Sequence, residues 1–356
     1  MSSNGFNEQR AEAFAERMMG VLNEGAVALM SSIGHRTGLF DTLAQIPPAT
    51  SAQIAEAAEL DERYVREWLD GMVVSQVVTY DPDSEQYALP PEHAAFLTRS
   101  AAPDNMAMFA QYIPLLGTVE DKIVDCFYNG GGVPYSEFPR FVEVMAEDSG
   151  QTVVAALLDS ILPLAPGLTE RLQAGIDVLD VGCGSGRALN LMAGAFPNSR
   201  FTGYDFLETN IAAARAEARE KGLSNVSFEV LDVAEMPGRE QYELITAFDA
   251  IHDQAHPARV LENIHRALKP GGVFLMQDIA GSSHVHHNVD LPLAPLLYTV
   301  STMHCMTVSL AQDGEGLGTM WGKEKALEML ADAGFDDVDV HQLEHDFQNY
   351  YYVTGK

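Results

Sequence analysis

The stretch Ile176-Asp177-Val178-Leu179-Asp180-Val181-Gly182-Cys183-Gly184-Ser185-Gly186-Arg187 constrains the fold of this chain more than any other. An apolar run broken by one acid enters a turn with glycine at every second position. Beyond it Ala188, Leu189, Leu191 and Met192 recur at helical spacing. Strand, tight glycine loop and helix in that order are the opening of an α/β nucleotide site. The ligand follows from the neighbours of the glycines. A dinucleotide loop needs a small residue where Arg187 stands, and Asp180 at the strand end repels a pyrophosphate but holds a cation. A ligand with an adenosine half and a cationic amino-acid half fits both facts, and S-adenosyl-L-methionine has a sulfonium, an ammonium and no phosphate.

The residues downstream extend the pattern. Arg200-Phe201-Thr202-Gly203-Tyr204-Asp205 reads as a second strand ending in an acid, near the ~20-residue spacing at which an acid meets ribose hydroxyls. The two oxygens of Asp205 are expected to accept both hydroxyls, with Phe206 packing on the adenine. A helix from about Asn210 to Gly222 leads to a third strand, Val226-Ser227-Phe228-Glu229-Val230, after which Asp232 is placed to accept from the adenine amine. Tyr242 to Phe248 forms the fourth strand, followed by Asp249-Ala250-Ile251-His252-Asp253-Gln254. Open α/β sheets bind ligands beyond the carboxyl ends of their strands where the order reverses, here between the first and fourth, so His252 is expected near the transferable methyl. Leu268-Lys269-Pro270-Gly271-Gly272 reads as a turn in which proline stops a helix and the glycines reverse the chain into a fifth strand, Val273 to Met276. Val338-Asp339-Val340 and Tyr350-Tyr351-Tyr352-Val353 make seven.

The first half reads differently. Phe14, Met18, Val21 and Leu22, and then the apolar set from Ala26 through Ile33 to Leu39 and Phe40, are spaced for helices. Ser51 is expected to cap a short helix and Asp61 a second, whose Val65, Trp68, Leu69 and Met72 fall on one face. Two short alternating runs flank Asp81-Pro82-Asp83-Ser84, so the module is a helix-turn-helix with a hairpin wing. Its second helix carries Asp61, Glu62, Arg63, Arg66, Glu67 and Asp70, net -2 where a DNA reader presents bases. Dimerisation and covering of the second domain are the expected uses. A regulator that senses S-adenosyl-L-methionine without transferring its methyl is the alternative.

With 51 acids against 21 Lys and Arg the formal charge is -30, and neither half holds a basic stripe, which speaks against nucleic acid and anionic membranes as partners. Cys126, Cys183 and Cys305 are few and far apart, as in a reducing compartment. The polar start Met1-Ser2-Ser3-Asn4-Gly5 lacks a signal core, so a cytoplasmic location is expected. Between the helices after Ala101, Gly130-Gly131-Gly132 before Pro134-Tyr135 reads as a mobile hinge, which serves either as an ordinary interhelix loop or as a lid with Tyr135 or Phe138 touching the acceptor. An insert from Gly281 to Gly318 holds His284, His286 and His287, read as a surface cluster rather than a metal site, and a helix with Tyr298 and His304 as acceptor-pocket walls.

On its Asp180 and Gly-x-Gly-x-Gly motif and its Leu-Lys-Pro-Gly-Gly turn, the chain resembles class I S-adenosylmethionine-dependent methyltransferases over about residues 166 to 356. With the winged helix and insert it resembles a bacterial winged-helix family known from mycobacteria. The resemblance implies an α/β fold: a seven-stranded, doubly wound, Rossmann-like sheet, mostly parallel with an antiparallel last strand, behind an N-terminal winged-helix domain, and it implies a homodimer. His252-Asp253 looks like the His-Asp of plant O-methyltransferases, whose histidine deprotonates the acceptor, although Gln254 stands where those have an aromatic. The expectations are thus domains 1–100 (winged helix), 101–165 (helical linker and lid) and 166–356 (catalytic, with insert 281–318). Catalysis falls to His252 and Asp253. Cofactor binding falls to Asp180, Gly182, Cys183, Gly184, Gly186, Asp205, Phe206, Asp232, Val233 and Phe248, and the acceptor pocket to Tyr135, Tyr298, His304 and Trp321, with no metal. The reaction expected is in-line transfer to a small thiol or hydroxyl, leaving S-adenosyl-L-homocysteine.

Overall fold

The computed structural model describes residues 6–356, and the polar start Met1 to Gly5 lies outside the described residues. The chain divides into two compact units, Met1–Leu115 and Leu116–Lys356.

In the first unit, Glu8–Thr37 is a helix capped by Asn7, whose side chain accepts from Arg10 N, and it ends where Gly38 turns left-handed at φ 75°. Helices Leu39–Gln45, Ser51–Ala58 and Glu62–Val74 follow, and then a hairpin of β1 (Thr79–Asp81) and β2 (Gln86–Ala88). Asp61 caps its helix as expected, accepting from Arg63 N and Tyr64 N. At the helix before it the cap is Thr50 rather than Ser51: Thr50 and Gln53 close a reciprocal capping box, while Ser51 Oγ donates to Glu62. Val65, Trp68, Leu69 and Met72 are buried with Phe40 and Ile54 as one core, each large side chain contributing ~2–3 kcal/mol. Gly34 admits that core, since a Cβ there would lie 2.5 Å from the Trp68 ring. The apolar residues Phe14, Met18, Val21 and Leu22 instead stand open on the first helix, Leu22 at 72% exposure.

The second unit carries a seven-stranded sheet. Its strands are β3 (Asp177–Val181), β4 (Arg200–Asp205), β5 (Val226–Val230), β6 (Tyr242–Phe248), β7 (Leu268–Ile279), β8 (Val338–Leu343) and β9 (Asp346–Gly355). They lie in the order β5-β4-β3-β6-β7-β9-β8. Only β9 runs against its neighbours, pairing antiparallel with both β7 and β8. The order reverses between β3 and β6, which pair in parallel, and β3 is buried along Val178 to Val181 as a two-sided strand must be. Two apolar cores, one on each face, hold helices such as Arg187–Ala195 and Pro257–Ala267 against the sheet.

Two expectations change here. The helix before β7 ends at Ala267, and Leu268 through Gly272 already belong to the strand, with Leu268 paired to Tyr242 across a bulge. Pro270 and the glycines therefore start β7 instead of reversing the chain. The three-glycine hinge narrows as well: Gly130 and Gly131 stand clear at positive φ, but a Cβ at Gly132 would lie 2.0 Å from the Thr307 carbonyl, and Val133 N donates to Thr307 Oγ1 at 2.8 Å. This segment is seated on the helix Met306–Leu310.

Candidate active site

Gly182, Gly184 and Gly186 all hold positive φ, at 69°, 51° and 73°, a backbone that a side chain would strain. The loop is drawn onto β4, with Gly182 N and Cys183 N donating to the Tyr204 carbonyl and Gly184 N to Asp205 Oδ2 at 3.0 Å. Gly186 is needed for packing, because a Cβ there would meet Ala214 at 2.6 Å and Phe228 at 2.7 Å.

Two cavities open beyond the strand ends on either side of this loop. One runs along Asp180, Cys183, Gly184 and Arg187 to Met145 and Ser149 and is flanked by Phe248. The other runs past Asp205, Phe206, Leu231 and Val233. Tyr135, Gly182, Asp249 and Asp253 line both, so the two meet at one junction. Gly182 keeps that junction open, since a Cβ there would come within 2.6 Å of Ala250.

The walls are acidic. Asp180 is 3% exposed and accepts from Thr246 Oγ1 at 2.7 Å; burial first, and the Asp205 charge next, push its pKa up to about 7. Asp205 is pushed up by burial while three N–H groups, of Gly184, Leu207 and Asn210, draw it back. Those bonds take three of the roughly four acceptor positions a carboxylate offers, two on Oδ1 and one on Oδ2. Asp249 sits at φ 48°, unusual for a side-chain-bearing residue, held by its own N–H on the Gln277 carbonyl and by Gln277 Nε2 on Oδ2 at 3.1 Å. Its Oδ1 is buried with no hydrogen-bond partner, and burial followed by the charge of Asp278 raises its pKa well above the carboxylate range.

His252 lies behind this junction and lines neither cavity. Its Nδ1 is 2.8 Å from Asp278 Oδ1 and its Nε2 is 3.2 Å from Asp253 Oδ1. Burial pushes the imidazole down, but the two carboxylates more than offset it and hold its pKa well above the ordinary value. An imidazole between two carboxylates is biased toward its charged form. Asp253 is the member that reaches the junction. Burial raises it, while His252, His304 and the Tyr135 hydroxyl, which donates to Oδ2 at 2.7 Å, pull it below the carboxylate range. Cys305 Sγ is within 4.8 Å of the His252 and Asp253 groups, and burial, then Asp253, pushes that thiol up to about 12.

The acceptor residues separate. Tyr135 is at the junction, edge-on to Phe206 at 5.3 Å and to His304 at 5.0 Å. His304 is on a π-helical turn, Ser301–Cys305, stacked on Phe141, with both ring nitrogens buried and without a hydrogen-bond partner among the described residues. Burial pushes its pKa down to about 4, so it is neutral. Tyr298 and Trp321 line neither cavity. Tyr298 accepts from Asn288 inside the insert, and Trp321 Nε1 donates to Asp278 Oδ1 at 2.9 Å, fixing the acid that fixes His252. Asp232 is exposed and caps the short turn after β5 through Ala234 N, between Leu231 and Val233, which line the second cavity. His284, His286 and His287 are exposed. Asp249 and Asp278 went unassigned from the sequence, although each follows or ends a strand with an acid just as Asp180 and Asp205 do; that repetition was the available signal.

Comparison with known proteins agrees with this fold. Residues 25–99 match the model of the Rv2258c-like winged HTH domain, and residues 172–334 match the model of a methyltransferase domain. Over 107 residues the chain is 37% identical to a ubiquinone biosynthesis O-methyltransferase of Pseudomonas aeruginosa, covering 29% of this chain and 44% of that protein. Over 154 residues it is 27% identical to a trans-aconitate 2-methyltransferase of Acidovorax, covering 43% of this chain and 55% of that protein. The chain thus spans about half the length of the curated relatives it matches. Human N-acetylserotonin methyltransferase, solved with S-adenosylmethionine, has the same fold at TM-score 0.67 and 18% identity, over 100% of this chain and 99% of that one. The mitomycin 7-O-methyltransferase structure does so at TM-score 0.71 and 18% identity, over 98% and 100%. Fold and matched domains together define a class I methyltransferase domain preceded by a winged-helix unit.

Proposed function

We propose that the protein transfers the methyl group of S-adenosyl-L-methionine to a small acceptor with an acidic X–H group, a thiol or a phenol. The observation that carries this reading is the meeting of two acid-lined cavities at Tyr135, Gly182, Asp249 and Asp253. The residues fit a sulfonium ligand: Asp249 Oδ1 is a buried carboxylate oxygen in want of a cation, and Gly182 leaves room for one to approach. When bound, the sulfonium supplies a methyl already activated for in-line displacement. Asp205, Phe206 and Val233 then take the adenosine half, and Asp180 and the glycine loop the amino-acid half.

Asp253 receives the acceptor's X–H in place of the Tyr135 hydroxyl. A carboxylate held below its usual range is a feeble base, and His252 keeps its proton, so the site favours acceptors that ionise readily over aliphatic alcohols. His252 acts as a positioning cation that fixes Asp253, with Asp278 and Trp321 behind it. The open apolar stripe Phe14, Met18, Val21 and Leu22 suits self-association, and three free cysteines suit a reducing cytoplasm. Among the described residues no helix is long and apolar enough to cross a membrane. On the winged-helix unit, Arg63 and Arg66 are paired to Glu67 and Glu62, which leaves the regulator alternative without an open cationic face there.

Incubation with methyl-labelled S-adenosyl-L-methionine and a panel of thiols, phenols and alcohols tests this. Label should pass to thiols and phenols at rates that rise as acceptor pKa falls. Transfer to none of them, with retarded duplex DNA at low salt, would favour the regulator.

A further inference from the structure

We infer that Arg187 is the anchor for the carboxylate of the cofactor's amino-acid end, and so sets which way round the cofactor lies and which adenosyl compounds are accepted. The inference rests on the methyl-transfer reading and adds a residue to it. Four carboxylic acids, Asp180, Asp205, Asp249 and Asp253, line the two cavities, and Arg187 is the only Lys or Arg among the described residues that does so. Such walls welcome a sulfonium and an ammonium but repel a carboxylate, and the amino-acid end of the cofactor carries one. A guanidinium at one end removes that conflict.

Position supports this. Arg187 opens the helix Arg187–Ala195 directly after Gly186, and its Nη1 donates to the Ala146 carbonyl at 2.6 Å. Ala146 belongs to the helix Phe141–Ser149, whose Met145 and Ser149 line the same cavity, so the guanidinium is steadied between its two walls. Five N–H donors in a fixed fork leave others for a carboxylate. The other cavity ends at Asp205, Phe206 and Val233, a lining for a ribose and a base. With the carboxylate at Arg187 and the ribose at Asp205, the sulfonium falls at the junction beside Asp249 and Asp253. Arg187 thus does here what a small residue cannot do in a dinucleotide loop.

The test compares S-adenosyl-L-homocysteine with 5′-methylthioadenosine, which lacks the amino-acid end, by calorimetric titration of the full chain and of Arg187→Met and Arg187→Lys. Arg187→Met should weaken S-adenosyl-L-homocysteine roughly 10- to 100-fold, as loss of a charge-assisted bond does, and Arg187→Lys should recover part of it. Binding of 5′-methylthioadenosine should stay within about twofold in all three, which also reports an intact pocket. Equal weakening of both ligands, or no weakening of either, overturns the role of Arg187 while the methyl-transfer reading stands. A wild-type chain that binds neither ligand overturns both.

Discussion

The helix Glu62–Val74 and the carboxyl edge of the sheet are both rich in acids, and they use them in opposite ways. On the helix the acids face water and pair with arginines one turn away, as in Arg63–Glu67, where solvent screens the charge. At the sheet edge Asp180 is buried and Asp249 and Asp253 are half-buried, two of the three with pKa values pushed up by the loss of water and the third held down by a buried histidine. The difference teaches that a net charge of -30 says little about chemistry. What counts is which few carboxylates the fold removes from water, because those must find a cation in the protein or in a ligand.

Breaking the buried group should have the largest effect. His252→Gln leaves two buried carboxylates without their cation and should cost ~3–5 kcal/mol of stability, read by urea unfolding, with methyl transfer falling at least about 100-fold. An unchanged midpoint would put His252 on a par with a surface group. Asp180→Asn sharpens the contrast from the other side. The folded pKa of about 7 lies above the 3.8 of an ordinary aspartate, so folding takes up a proton between these values. Its contribution is therefore most favourable below pH 4 and is lost as pH rises through 7. The variant should be more stable than wild type at pH 8, by up to ~4 kcal/mol, yet bind S-adenosyl-L-methionine at least tenfold more weakly.

The same group predicts a pH dependence of binding. Asp180 must be ionised to hold a cation, so affinity for S-adenosyl-L-methionine should fall about tenfold from pH 8 to pH 6, and Asp180→Asn should flatten that slope. A slope that persists in the variant would move the titration to another acid. Tyr135→Phe is expected to be milder: losing the hydroxyl on Asp253 should raise the acidic limb of the rate–pH profile and cost ~1 kcal/mol in stability. Smallest of all, Glu67→Gln on the winged-helix unit should change stability by less than ~1 kcal/mol and methyl transfer by less than about twofold. A large loss there would erase the distinction between the two regions.

Much of this was legible in the chain itself. Hydrophobic periodicity found all seven strands of the sheet and the buried face of the helix Glu62–Val74, because burial on a period is a local property of the chain. The cofactor loop was legible because left-handed backbone demands glycine in sequence. Side-chain duty was harder to read. Tyr298 and Trp321 carry suitable chemistry for a site but line neither cavity and are engaged by Asn288 and Asp278. Gly132 looked free and is packed.

By itself, then, the order of residues determined the α/β architecture, the reversal point between β3 and β6 and the acid followed by a left-handed glycine loop at the end of β3. Only the tertiary structure decided which acids are dry, that His252 is enclosed by Asp253 and Asp278 rather than facing the cavity, and that Arg187 stands among them as a cation. The physical reason is that backbone preference and burial period act between near neighbours. A carboxylate's charge state, by contrast, depends on residues brought within a few ångströms from distant parts of the chain.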